Sequence, residues 1–183
     1  MELSLANVSC ILITRCELYP RAELEYLSKL GFGEIILECN CPSVAERFEL
    51  VKKAKHEHIY VQDDDVEIDV LKLFEFYDGK SITAAMTDHH FNYYKDSQIC
   101  LIGFGSFFPK ALVSNMKMYT QRYGEDEHYQ REVDRIFTYL NYPQKRVVFD
   151  DLKDWSREMP NRMCREVNHY KSLAEVEEKL KAL

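Results

Sequence analysis

The chain has 183 residues, of which 46% are apolar: the length of one domain, with enough apolar side chain to bury a core. Its formal net charge of −7 argues against a protein that grips bare nucleic acid through a broad basic face. No apolar run approaches the roughly 18 residues of a spanning helix, and residues 1–7 lack the basic start and apolar stretch of a signal peptide, so a cytoplasmic location is expected.

The first third alternates strand and helix signals. Val8–Thr14 (VSCILIT) is continuously apolar and β-branched, as in a strand buried on both faces. A helix follows, with Pro20 in its first turn, Leu24, Leu27 and Leu30 at helical spacing, and Gly31 and Gly33 as the stop. Glu34–Cys39 reads as the second strand. Ser43 with Glu46 three residues on has the pattern of a capping box opening the second helix. A third strand over 58–62 runs into Asp63, Asp64 and Asp65. This order predicts parallel strands joined by right-handed crossovers, with ligands at their carboxyl ends. Thr14, Arg15, Asn40 and the three aspartates then share one edge of the sheet.

The second half is less regular. The pattern predicts a helix over about 66–77, a strand near 81–87, a polar loop at 88–92 and a strand at 98–102 leading into Gly103, Phe104 and Gly105. Pro109 opens a helix carrying Leu112, Met116 and Tyr119, and a longer helix over about 125–140 has an apolar stripe of Tyr129, Val133, Ile136, Phe137 and Leu140. A short strand follows at 147–149. Ser172 and Glu175 form a second capping-box pattern before Val176 and Leu180. No repeat, low-complexity tract or linker divides the chain. The six cysteines, without C-x-x-C spacing, read as free thiols rather than a zinc site or disulfide framework.

Three adjacent aspartates at the end of an apolar strand repel one another unless a positive charge neutralises them. An oxygen-only carboxylate set suits magnesium, manganese or calcium, and magnesium is commonly shared with a substrate's phosphates. The structural alternative is a solvated acidic turn at the start of the helix expected near Val66.

The stretches VSCILITR, EIILECN, IYVQDDDV and GFGSFFPK together resemble glycosyltransferases of the GT-A fold, whose D-x-D motif holds a metal on the diphosphate of a sugar nucleotide. The resemblance runs from about Val8 to His169. It implies one α/β domain over 1–183 with a mixed, mainly parallel sheet flanked by helices. About 1–102 would form the nucleotide-binding half and about 103–183 the acceptor and catalytic half. It also implies a UDP-sugar donor and Mn2+ or Mg2+. Asp65 would be the direct metal ligand, with Asp63 assisting it or reaching the ribose and Asp64 between them, Thr14 and Arg15 would line the nucleotide pocket, and Asn40 would lie near the base. The segment 103–106, with Gly105, is similar to the family's glycine-containing loop beside the reacting centre. Late in the chain His169 corresponds to a further metal ligand, and Arg162 and Arg165 to diphosphate contacts.

An acceptor hydroxyl is a poor nucleophile, so an inverting enzyme needs a carboxylate to take its proton, and spacing in sequence leaves inversion or retention open. VDRIFTYL resembles the helix that carries the catalytic carboxylate in exostosin-like members, which points to Asp134. The Glu125–Asp126 pair resembles the E-D pair of many inverting members, which points to Asp126. Helical spacing does not choose between them. Tyr93 and Tyr94 are candidates for stacking on an acceptor, and Trp155 for a core anchor or a second stacking platform. The rival enzyme reading is a nucleotidyltransferase, although TRCELYPRAE after the first strand lacks the glycine-rich basic loop that chemistry wants. A non-catalytic nucleotide-sugar-binding module is the rival outside enzymes. The acceptor, whether small molecule, glycan, protein or modified base, is not encoded legibly.

Overall fold

The computed structural model describes residues 3–14, 21–39, 43–94, 99–154 and 169–183. The opening third folds as its periodicity predicts: β1 (Val8–Thr14), α1 (Arg21–Lys29), β2 (Glu34–Cys39), α2 (Glu46–Lys53) and β3 (His58–Asp63). β1 lies between β2 and β3 and is parallel to both, with Thr14 opposite Cys39 and Ile13 opposite Asp63. The carboxyl ends of the three strands therefore share one edge.

The chain continues through β4 (Val66–Glu67), α3 (Val70–Glu75), β5 (Thr83–Met86), α4 (Asp88–Tyr93), β6 (Ser106–Pro109), α5 (Lys117–Tyr123), α6 (Glu127–Leu140), β7 (Lys145–Val148), β8 (Lys153–Asp154) and α7 (His169–Lys181). Six strands form one sheet in the order β2-β1-β3-β6-β5-β7, and β4 pairs with β8 in a small second sheet. β6 is antiparallel to both β3 and β5, and β5 is parallel to β7. The fold is α/β, with a mixed, mostly parallel sheet flanked by helices.

Strand alternation divides the core between the two faces of this sheet. Ile11, Ile59 and Val61 pack with Phe48 and Val51 of α2 and with Val133, Ile136 and Phe137 of α6. Val8, Cys10, Leu12 and Tyr60 pack on the opposite face with Leu27 of α1 and Leu73 of α3. No helix among the described residues is long and apolar enough to cross a membrane.

Several local expectations are corrected. The helix expected over 66–77 begins only at Val70, where Asp69 caps it by accepting from Lys72 N at 3.0 Å. Before it, Val66 and Ile68 are buried while Glu67 and Asp69 are exposed, a period of two that makes a strand. The three aspartates therefore do not open a helix, and the dipole account of their charge does not apply. The polar loop at 88–92 is the helix α4, capped by Thr87 Oγ1, which accepts from His90 N. The strand expected at 98–102 is displaced to Ser106–Pro109: Ile102–Phe104 forms a 3-10 turn, and Gly105 at φ +102° swings the chain onto β3. Pro109 closes β6 and leads into a 3-10 segment, Lys110–Met116, ahead of α5. The short strand lies at Lys145–Val148 rather than 147–149.

Neither capping box forms as expected. Ser43 Oγ accepts from Ala45 N and donates to Gln130 on α6, and α2 starts one turn later. Ser172 and Glu175 lie within α7, where they hold the two ring nitrogens of buried His128 at 3.0 and 3.1 Å.

Candidate functional site: an arginine between two aspartates

Alternation along β3 decides which side chains reach which face. Gln62 turns toward α1, where its amide donates to Glu23 Oε1 and to the Val66 carbonyl. Its neighbour Asp63 turns the other way, toward α2 and α6. In the first turn of α2, Arg47 occupies the core-facing stripe with Val51 and Ala54, and it is only 1% exposed. A guanidinium cannot lose its charge there, so it requires carboxylate partners.

It has two. Nη2 donates to Asp63 Oδ1 at 2.8 Å, and Nη1 donates to Asp134 Oδ2, on α6, at 3.0 Å. One buried cation thus ties three elements together at the carboxyl edge of the sheet. The aspartates keep a face to solvent, with side-chain exposures of 34% for Asp63 and 23% for Asp134, against 2% for Arg47.

Burial pushes the Asp134 carboxyl up to about 6; the nearby charge of Asp63 adds to the rise, while Arg47, Arg135 and the Gly103 backbone N–H act against it. Asp134 Oδ1 is buried and makes no hydrogen bond of normal geometry. A carboxylate with such a proton affinity is an effective acceptor of a proton near neutral pH.

Gly103 completes the wall. A Cβ at this position would lie 2.0 Å from Asp63 Oδ2, so a larger residue there would have to push the Asp63 carboxylate out of its place. Gly105, the glycine expected at the site, faces the other core: a Cβ there would meet Ile68 Cδ1 at 2.9 Å and the Tyr60 hydroxyl at 3.0 Å. The glycine beside the site is therefore Gly103.

The structure separates the two candidate bases. Asp126 caps α6, accepting from Tyr129 N at 2.8 Å, and pairs with Lys179 of α7. Burial raises its pKa, but the Lys179 and Tyr129 hydrogen bonds outweigh this and leave it below the ordinary carboxylate value, which makes it a weak base. Thr14 is buried at the end of β1, and Asp64 and Asp65 are half-buried in the turn between β3 and β4. Arg15, Asn40, Trp155, Arg162, Arg165 and the His169 side chain lie outside the described residues; the His169 backbone opens α7.

The edge is extended by α4, which follows the carboxyl end of β5. His90 packs edge-on against Phe104 at 4.8 Å, beside Gly103. Tyr94 accepts from Arg135 of α6 at 3.0 Å, and Tyr93 is 61% exposed. Sequence reasoning missed Arg47, Gly103 as distinct from Gly105, and Arg135. An arginine at a core-facing position of an amphipathic helix was the available signal for the first.

Among the described residues no group of three or more His, Cys, Asp and Glu side chains gathers in metal-holding geometry. The side-chain donors at the end of β3, the carboxylates of Asp63, Asp64 and Asp65, are nevertheless all oxygen, the chemistry that suits a hard divalent cation. Any such ion shares Asp63 with Arg47. Compared with known proteins, the chain matches no protein-family model and no curated sequence.

Proposed function

We propose that this chain is a GT-A-like glycosyltransferase that moves a sugar from a nucleotide donor, most simply a UDP-sugar, to an acceptor hydroxyl. The observation that carries the reading is the meeting of Asp134 with Asp63 at the carboxyl edge of the sheet, with the proton affinity of Asp134 raised to about 6. Ligands of open α/β sheets bind at this edge.

In this mechanism Asp134 accepts the proton of the acceptor hydroxyl as the oxygen attacks the anomeric carbon. The new C–O bond forms while the bond from that carbon to the diphosphate oxygen breaks, and the nucleoside diphosphate leaves with the electron pair. Manganese or magnesium, held by Asp65 and Asp63 with Asp64 beside them, would supply positive charge to the departing diphosphate. Arg47 orients Asp134, Gly103 lets the 102–104 turn approach, and Thr14 closes the end of β1. The resemblance adds Arg15, Asn40, Arg162, Arg165 and His169 to the donor side.

The paired state of Asp63 and Asp134 favours one alternative, a nucleotide-sugar-binding module without turnover, because an arginine that fixes both carboxylates is also a structural ion-pair cluster. Calorimetric titration of UDP, with GDP as control, in Mn2+ and then in EDTA tests the shared premise. The proposal expects Mn2+-dependent UDP binding that is lost in Asp65→Ala. No UDP binding, or binding indifferent to both metal and substitution, would overturn it. Turnover of UDP-sugar by the wild type but not by Asp134→Asn separates the enzyme from the module.

A further inference from the structure

If the site takes a metal-bound donor as read above, the ion and Arg47 must share one carboxylate. The guanidinium of Arg47 lies 2.8 Å from Asp63 Oδ1, the carboxylate that a divalent ion would also need. Both are cations with no neutral form available, so simultaneous tight occupancy sets like charges a few ångströms apart in a half-dry site. Arg47 has somewhere to go. Its second arm already contacts Asp134 Oδ2 at 3.0 Å, and Asp134 Oδ1 is buried without a hydrogen bond of normal geometry. Turning the guanidinium so that the arm now on Asp63 meets Asp134 Oδ1 would make a forked pair with Asp134, the geometry in which arginine binds carboxylate best.

We propose that Arg47 is a resting counter-cation of Asp63 and that it exchanges there with a divalent ion, turning to Asp134 when the ion binds. Arg47 is then a positioning residue: metal loading aligns Asp134 by giving it both arms of the arginine. Metal alone competes with Arg47 and binds weakly. Metal carried in by a nucleoside diphosphate binds better, because the phosphates contribute negative charge that offsets the guanidinium.

The test is titration of Mn2+ alone, read by calorimetry and by the electron paramagnetic resonance signal of free Mn2+. Wild type, Arg47→Met and the charge-balanced double variant Arg47→Met with Asp134→Asn are compared. Exchange predicts that both variants bind Mn2+ about tenfold or more tightly than wild type, with Asp65→Ala weakening every background. Equal or weaker affinity in a folded variant, or no Mn2+ binding to any form, overturns the proposal. If circular dichroism shows Arg47→Met unfolded, the double variant decides, since it removes one buried charge of each sign and leaves Asp63 in place. A parallel UDP titration keeps the two ideas apart. Mn2+-dependent UDP binding with unaltered Mn2+ affinity sinks the exchange alone, whereas absent UDP binding in wild type sinks the donor-site reading.

Discussion

Arg47 and Asp134 are 87 residues apart in sequence and meet through a 3.0 Å hydrogen bond that joins α2 to α6. The same guanidinium reaches the end of β3, so one side chain fixes the relative position of the two carboxylates on which the proposed chemistry depends. Energetically this is a buried ion cluster, whose net contribution is modest but whose partial removal is costly.

That asymmetry gives the first prediction. Arg47→Ala removes the buried cation that both carboxylates contact and should destabilise the fold by about 3 kcal/mol or more. Denaturant unfolding of Arg47→Ala, Asp134→Asn and their combination measures the coupling. Additive single effects would show that the pair has no energetic link.

Asp134→Asn should reduce UDP-sugar turnover by roughly 100-fold or more at saturating donor, because the group that takes the acceptor proton is gone. The wild-type rate should fall as the pH drops below about 6, where the carboxyl takes up its proton. A pH-rate profile that is flat across this region would remove Asp134 from the base role.

Gly103→Ala should abolish Mn2+-dependent UDP binding and cost on the order of 1–3 kcal/mol, because its Cβ would fall 2.0 Å from Asp63 Oδ2. Gly105→Ala is also strained, at φ +102°, but its clash lies with Ile68 and Tyr60 on the opposite face. It should lower stability with a smaller effect on UDP. Equal loss of binding in both variants at matched stability would count against the assignment of Gly103.

Asp126→Ala removes a helix cap and the partner of Lys179, so the melting temperature should fall by the equivalent of about 1 kcal/mol. UDP binding should be retained. Loss of UDP affinity in a folded Asp126→Ala protein would reopen that residue's candidacy at the site.

Glu132, 4% exposed and at a non-helical kink in α6, has its carboxyl pushed up to about 7, by burial first and by Asp134 next, against the opposing charge of Arg135. The folded state therefore holds this proton more tightly than the unfolded chain, whose glutamate titrates near its ordinary value. Between about pH 4.5 and 7 the native state binds the extra proton, so stability declines as the pH rises through that window and levels off above it. Glu132→Gln should flatten this slope and gain on the order of 1–2 kcal/mol above pH 7. Urea unfolding at several pH values checks the sign, and a wild-type stability that rises over the same window would refute it.

Much of the framework was legible because it is local. Apolar runs and helical spacing marked β1, α1, β2 and β3 and the stripe of α6, and strand polarity followed from the βαβ order. The errors came where short signals compete. V-E-I-D-V at 66–70 alternates with period two, yet the apolar residues after it suggested a helix, and Thr87 was a readable cap for the helix that the polar residues at 88–92 conceal. The two capping boxes failed for a different reason. Ser43, Ser172 and Glu175 are recruited by Gln130 and His128, partners that no local window contains.

By itself the sequence determined that three aspartates end a buried strand, that this strand lies in an α/β sheet, and that two further aspartates flank the stripe of one long helix. These properties depend on side-chain period and backbone preference over a few residues. Only the tertiary structure decided that Asp63 faces α2 and α6 while Gln62 faces α1, that Arg47 joins Asp63 to Asp134, and that Asp126 is occupied by Lys179. Those outcomes depend on where separate elements pack. A buried charge selects its partner among whatever carboxylates the packing brings within about 3 Å, which no spacing along the chain encodes.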